Sequence, residues 1–202
     1  MRFIALAVSA IGLSLFVVCA QAQISTRANL VISDVQVVCQ GTQPFASLTL
    51  PIGAADLGHP GLLYIGMHDP GMSQAAFFVN GNWVGYQGGL FPINTIASGG
   101  LYTTRMVIPL PPSLAGGGWK LYVGYGALSA AAESQVQATI NAINAAKALK
   151  ADAALGAIDP NSYRRTLIQS DMTQAGKYGY VNTGVETNPY VCQPEFGGGG
   201  GE

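Results

Sequence analysis

Between residue 29 and about residue 125, apolar side chains recur at every second position in short runs. Glycine, proline or asparagine breaks each run. This alternation is the period of a half-buried β-strand. In residues 29–39, Val35 and Val37 alternate with Asp34 and Gln36, and residues 45–50 alternate likewise. Residues 61–67 are apolar without alternation, as in a strand buried on both faces. Asp69-Pro70-Gly71 marks a turn. Residues 74–79 and 82–86 flank Asn80-Gly81, a strong two-residue hairpin signal. The run at 102–110 ends among Pro109, Pro111 and Pro112, which stop it or confine it to an edge. Residues 119–125 follow three glycines. Seven short strands separated by turns predict an antiparallel sandwich.

The period changes near residue 130. Val136, Ile140, Ile143, Ala146, Leu149 and Ala153 recur at spacings of four and three, giving one narrow apolar stripe on a helix that starts near Ser129. Gly156 is its expected C-cap. Asp159-Pro160 opens a second, shorter helix through Tyr163, Leu167 and Met172, stopping by Gly176. Beyond it the chain is irregular or forms a last strand carrying Cys192. The fold class expected is therefore α+β, an antiparallel Ig-like β-sandwich followed by a helical arm. Its parts are a leader (1–22), a sandwich (23–130), the arm (131–176), a C-terminal segment (177–196) and a glycine tail (197–202).

The leader has the form of a secretory signal: Arg2 gives a positive start, Phe3 to Val18 is almost wholly apolar, and Ala20-Gln21-Ala22 is a cleavage site. The apolar run is short for a bilayer span. Export makes an oxidising compartment, and Cys39 and Cys192 then form an even pair and the expected disulfide. Charged residues are only 9% of the chain and hydrophobic ones 49%. The formal net charge is −1, or −2 once Arg2 leaves with the leader. A chain with so few cations is not built to neutralise a phosphate backbone, so nucleic acid is not an expected partner.

Leu63-Tyr64-Ile65-Gly66, Ala76-Phe77-Phe78-Val79, Trp83-Val84 and the glycine-led Trp119-Lys120-Leu121-Tyr122-Val123-Gly124-Tyr125 carry a likeness. Over residues 62–125 the chain resembles a β-sandwich domain of secreted and pilus-associated surface proteins of Gram-negative bacteria. The resemblance implies a sandwich fold and an exported, pilus- or surface-related setting.

Candidate chemistry is sparse. His68-Asp69 would need to orient a base toward Ser73, but adjacent residues at a strand end point apart. Asp34, Asp56 and Asp69 fall in separate segments, which does not predict a glycosidase acid pair. Two cysteines and two distant histidines lack metal-ligand spacing. The glycine runs precede strands and lack the phosphate-loop lysine. No catalytic residue, metal or cofactor is expected. The aromatics remain, and Asn80, Asn82, Trp83, Tyr86 and Gln87 form a set around one hairpin that would contact a sugar or a partner. The expected function is an exported, non-enzymatic structural or assembly component of the bacterial envelope, periplasmic or at the cell surface, pilus- or secretion-associated. It would contact other envelope proteins or itself and have no membrane span after signal removal. The alternative is a carbohydrate- or surface-binding module using the Trp83 hairpin.

Overall fold

A computed structural model describes residues 28–193, except 112, 113, 115, 116, 151, 186, 187 and 189. The expected leader and glycine tail lie outside the described residues. Among the described residues, nine strands and three helices run in the order β1 (Ser33–Gln40), β2 (Gln43–Leu50), β3 (Gly61–His68), β4 (Ala75–Val79), β5 (Asn82–Gly85), β6 (Thr95–Ala97), β7 (Thr104–Pro109), β8 (Lys120–Ala127), α1 (Ala130–Leu149), α2 (Ala153–Gly156), α3 (Pro160–Ala175) and β9 (Tyr178–Val181).

The strands make two antiparallel sheets. The smaller runs β1-β2-β7 and the larger β5-β4-β3-β8-β9, with β6 also on β3. Three layers result: small sheet, large sheet, helices. Between the sheets lie Leu48 and Leu50 of β2, Ile65 of β3, Ile108 of β7, and Leu121 and Val123 of β8. On the other face of the large sheet, Leu62 and Tyr64 of β3 pack with Phe77, Val136, Ile168 and Met172. β3 thus buries both faces, which is why its sequence does not alternate.

The Asn80-Gly81 turn adopts φ of 50° and 84°, as the hairpin signal predicts. Residues 29 and 30 do not begin β1. Asn29 N donates to Gly176 O at 3.0 Å and Leu30 N to Tyr178 O at 3.2 Å, so this segment borders β9. The chain then crosses to the small sheet at Asp34, whose φ is 53°, where the register with β2 shifts.

Both helix starts form at the expected caps. Ser129 accepts from Ala132 N, and Asp159 accepts from Asn161 N and Ser162 N with Pro160 in the first turn. Gly176 closes α3 with φ 65°. The first helix ends earlier than expected: Lys150, not Gly156, takes the left-handed cap, because Asp152 starts a new turn, α2. The apolar stripe faces inward, burying Val136, Ile143 and Ala146, while Leu149 at its end stays exposed. The last strand precedes Cys192 rather than carrying it, and Trp119 is half-buried.

Close packing of α3 on the large sheet depends on Gly126. A Cβ there would collide with the Ile168 backbone carbonyl. Gly126→Ala is expected to push α3 away and cost about 2–3 kcal/mol. An unchanged urea midpoint would show that α3 does not seat on β8 this closely.

Candidate functional site

The outer face of the large sheet is covered by helices at one end only. At the other end the strand register lays out a row across four strands. Gly66 of β3 sits between Phe77 of β4 and Tyr122 of β8, and Tyr122 in turn faces Tyr180 of β9. The next row places Tyr64 beside Gly124 and Gly124 beside Tyr178. Aromatic rings thus stand either side of glycines, and a cleft of about 80 Å³ opens between them. Met172 and Thr173 of α3 form one wall, with Phe91 at another.

The rings brace one another. Phe77 stacks on Phe91 at 5.0 Å, and Tyr86 meets both edge-on at 5.4 and 5.5 Å. Tyr122 lies nearly parallel to the His68 ring, 5.3 Å away. Burial raises the pKa of Tyr64, with Arg165 opposing; burial likewise raises Tyr86, and burial and then Tyr178 raise Tyr122. These phenols stay protonated at physiological pH. Among the described residues, no carboxylate, ammonium or guanidinium lines the cleft.

His68 is buried. Its Nδ1 lies 2.6 Å from the Asp69 carbonyl, so Nδ1 carries a proton, and Nε2 faces the Tyr122 hydroxyl at 3.4 Å. The Asp69 carboxylate and the Ser73 hydroxyl bond to each other rather than to the ring. Ser73 Oγ donates to Asp69 Oδ2 at 2.8 Å and Gln74 N to Oδ1 at 2.7 Å; these bonds, Gln74 foremost, hold the Asp69 carboxyl below its ordinary pKa. They tie the turn rather than activate a nucleophile.

No family model, curated protein or solved structure matches the chain. The roles of its residues therefore rest on geometry.

The hairpin set of Asn80, Asn82, Trp83, Tyr86 and Gln87 divides between faces. Trp83 turns inward and half-buried, packs on Phe78 at 5.4 Å, and donates its indole N–H to Pro109 O at 2.9 Å. Tyr86 turns to the opposite face, joins the cleft, and donates to Gly89 O at 2.7 Å. Asn80, Asn82 and Gln87 are exposed, and Asn82 Nδ2 donates back to Asn80 O at 3.2 Å. Of the five, only Tyr86 lines the cleft. Cys39 and Cys192 are joined, with Cα atoms 5.4 Å apart.

Sequence spacing did not reveal an ionic cluster at the junction of sheet and helix. Lys177 Nζ lies 3.0 Å from Asp56 and 2.9 Å from Asp171. Tyr125 donates its hydroxyl to Asp56 at 3.0 Å and accepts from Gly53 N at 2.8 Å, while Ala127 N donates to Asp171 at 2.9 Å. Two carboxylates do converge here, on a shared ammonium. Among the described residues no group of His, Cys, Asp and Glu is placed to hold a metal ion, and no helix is long and apolar enough to cross a membrane.

Proposed function

We propose that the protein is an exported, non-enzymatic structural or assembly component of the bacterial envelope, and that the aromatic cleft takes an apolar side chain of a protein partner. One observation carries this reading: the cleft is open, ring-lined and, among the described residues, free of carboxylates, ammoniums and guanidiniums. Such a hole suits an anchoring side chain better than it suits proton or group transfer. About 80 Å³ is less than the roughly 150 Å³ that encloses a benzene ring, so one aliphatic side chain fits. Tyr180, 41% exposed, extends the apolar surface beyond the mouth. The two-sheet body serves as an Ig-like scaffold behind this face, and a place in a pilus or secretion assembly follows from the resemblance over residues 62–125. The disulfide supports a periplasmic or cell-surface setting.

Tyr180→Asp is expected to change stability by no more than about 1 kcal/mol, since the ring is partly exposed. It should also abolish cross-linking of the protein to its envelope partner, read by mass spectrometry of the captured fraction. Capture by the variant equal to wild type would refute the cleft as the partner site.

A carbohydrate-binding module is the second reading, favoured by the half-buried Tyr122 ring, which lines the open cleft. Trp83 is less suited to that role, because its indole N–H is already bonded to Pro109. Glycan-array binding that Tyr122→Ala removes and Trp83→Phe retains would establish this reading in place of the first.

A further inference from the structure

A second groove lies away from the aromatic cleft, where α1 and α3 meet the β6 edge of the large sheet. Its volume is about 580 Å³, within the range of roughly 300–1,000 Å³ usual for small-molecule sites. One side is aliphatic, formed by Leu62, Ile93, Ile96 and Ile168. Ile96 is 63% exposed, an uncovered aliphatic side chain at the lip. The other side carries Arg164, Arg165 and Glu133.

Asn161 and Ser98 also line the groove, but its polar side is short of anionic acceptors. Glu133 pairs with Arg164 at 2.9 Å. Arg165 donates from Nη2 to the Phe91 carbonyl at 3.0 Å, while its Nε is buried with no hydrogen-bond partner among the described residues. A guanidinium has five N–H donors and tolerates burial when they are met. Among the described residues, two guanidiniums against one carboxylate leave the groove one positive charge in excess.

We propose that this groove is a binding site for a small aliphatic monocarboxylate, its carboxylate on the Arg164–Arg165 pair and its chain along Ile93, Ile96 and Ile168. One negative charge matches the excess, and a planar carboxylate matches the guanidinium fork. A phosphate ester would bring more charge than the single uncompensated cation balances. The aliphatic wall selects for a hydrocarbon body rather than a sugar. This site is independent of the aromatic cleft and of the partner reading.

The test is a titration of the folded, disulfide-bonded protein with sodium octanoate, followed by the methyl resonances of Ile93, Ile96 and Ile168. Octanol and octylamine are run alongside. Octanoate is expected to move these resonances saturably and to bind at least about tenfold more tightly than octanol, as a charge-assisted hydrogen bond implies. Arg164→Gln leaves Glu133 facing Arg165, removes the excess charge, and should weaken octanoate by about tenfold or more. Glu133→Gln adds to the excess without touching Arg165, whose bond to Phe91 holds the neighbouring loop, and should tighten octanoate several-fold. No movement of the methyls, octanol or octylamine binding as tightly as octanoate, or Glu133→Gln leaving affinity unchanged would each overturn the proposal.

Discussion

Replacing Lys177 with methionine is expected to destabilise the protein by about 3–5 kcal/mol, the usual cost of removing one partner from a buried charge cluster. The side chains of Lys177, Asp56 and Asp171 are only 19%, 14% and 26% exposed. Without the ammonium, two carboxylates remain largely out of water. Each also accepts a fixed hydrogen bond, from Tyr125 and from Ala127 N. Neither carboxylate turns out to solvent without breaking it. Adding Asp56→Asn and Asp171→Asn to the methionine variant should restore much of the loss, since the amides keep an acceptor and shed the charge. A single variant melting within about 1 kcal/mol of wild type would show the cluster to be screened like a surface ion pair.

The same cluster sets an alkaline limit. Burial alone would lower the Lys177 pKa, but the hydrogen bonds and charges of Asp171 and Asp56 outweigh it and raise the pKa above the ordinary 10.5. A folded pKa above the unfolded value adds stability that is fully present below about 10.5. That stability is lost as pH rises through the folded pKa. Wild type should therefore lose stability more steeply than Lys177→Met on the alkaline side of that value, measured by denaturant melts at stepped pH.

The disulfide is expected to contribute about as much. Cys39 and Cys192 are separated by 153 positions in sequence, and loop entropy assigns a cross-link of that span about 4–5 kcal/mol. The double variant Cys39→Ala, Cys192→Ala should lose that amount in urea melts. Thiol titration of the denatured, unreduced protein, with peptide mapping, should find neither Cys39 nor Cys192 free. Free thiols at both Cys39 and Cys192 would mean that the bond does not form.

Local features were legible in the sequence where a nearby residue decides them. The Asn80-Gly81 turn and the Ser129 and Asp159 caps all follow from chemistry within a few positions. The three-layer arrangement was legible only in part. The unalternating run in β3 signals burial on both faces, but not that helices supply the second cover. Strand β6 was missed because three residues, two of them exposed, show no pattern to read. The cleft and the ionic cluster were illegible for a different reason. Lys177 and Asp56 are 121 residues apart, and Gly66 meets Tyr122 only through strand register. Sequence spacing places a side chain on a face of its own element, not opposite a distant one. Trp83 illustrates the same limit, since its strand signal does not show that Pro109 lies within reach of its indole.

The covalent link between Cys39 and Cys192 also fixes how the molecule carries tension. A pull between any residue before Cys39 and any residue after Cys192 travels through the sulfur bridge. Residues 40–191, which hold β2 to β9 and all three helices, lie off the load path. Stretching the protein by its ends would not unravel this body while the bridge is intact, and reduction would expose it to force all at once. The bridge is therefore a mechanical fuse set by redox state.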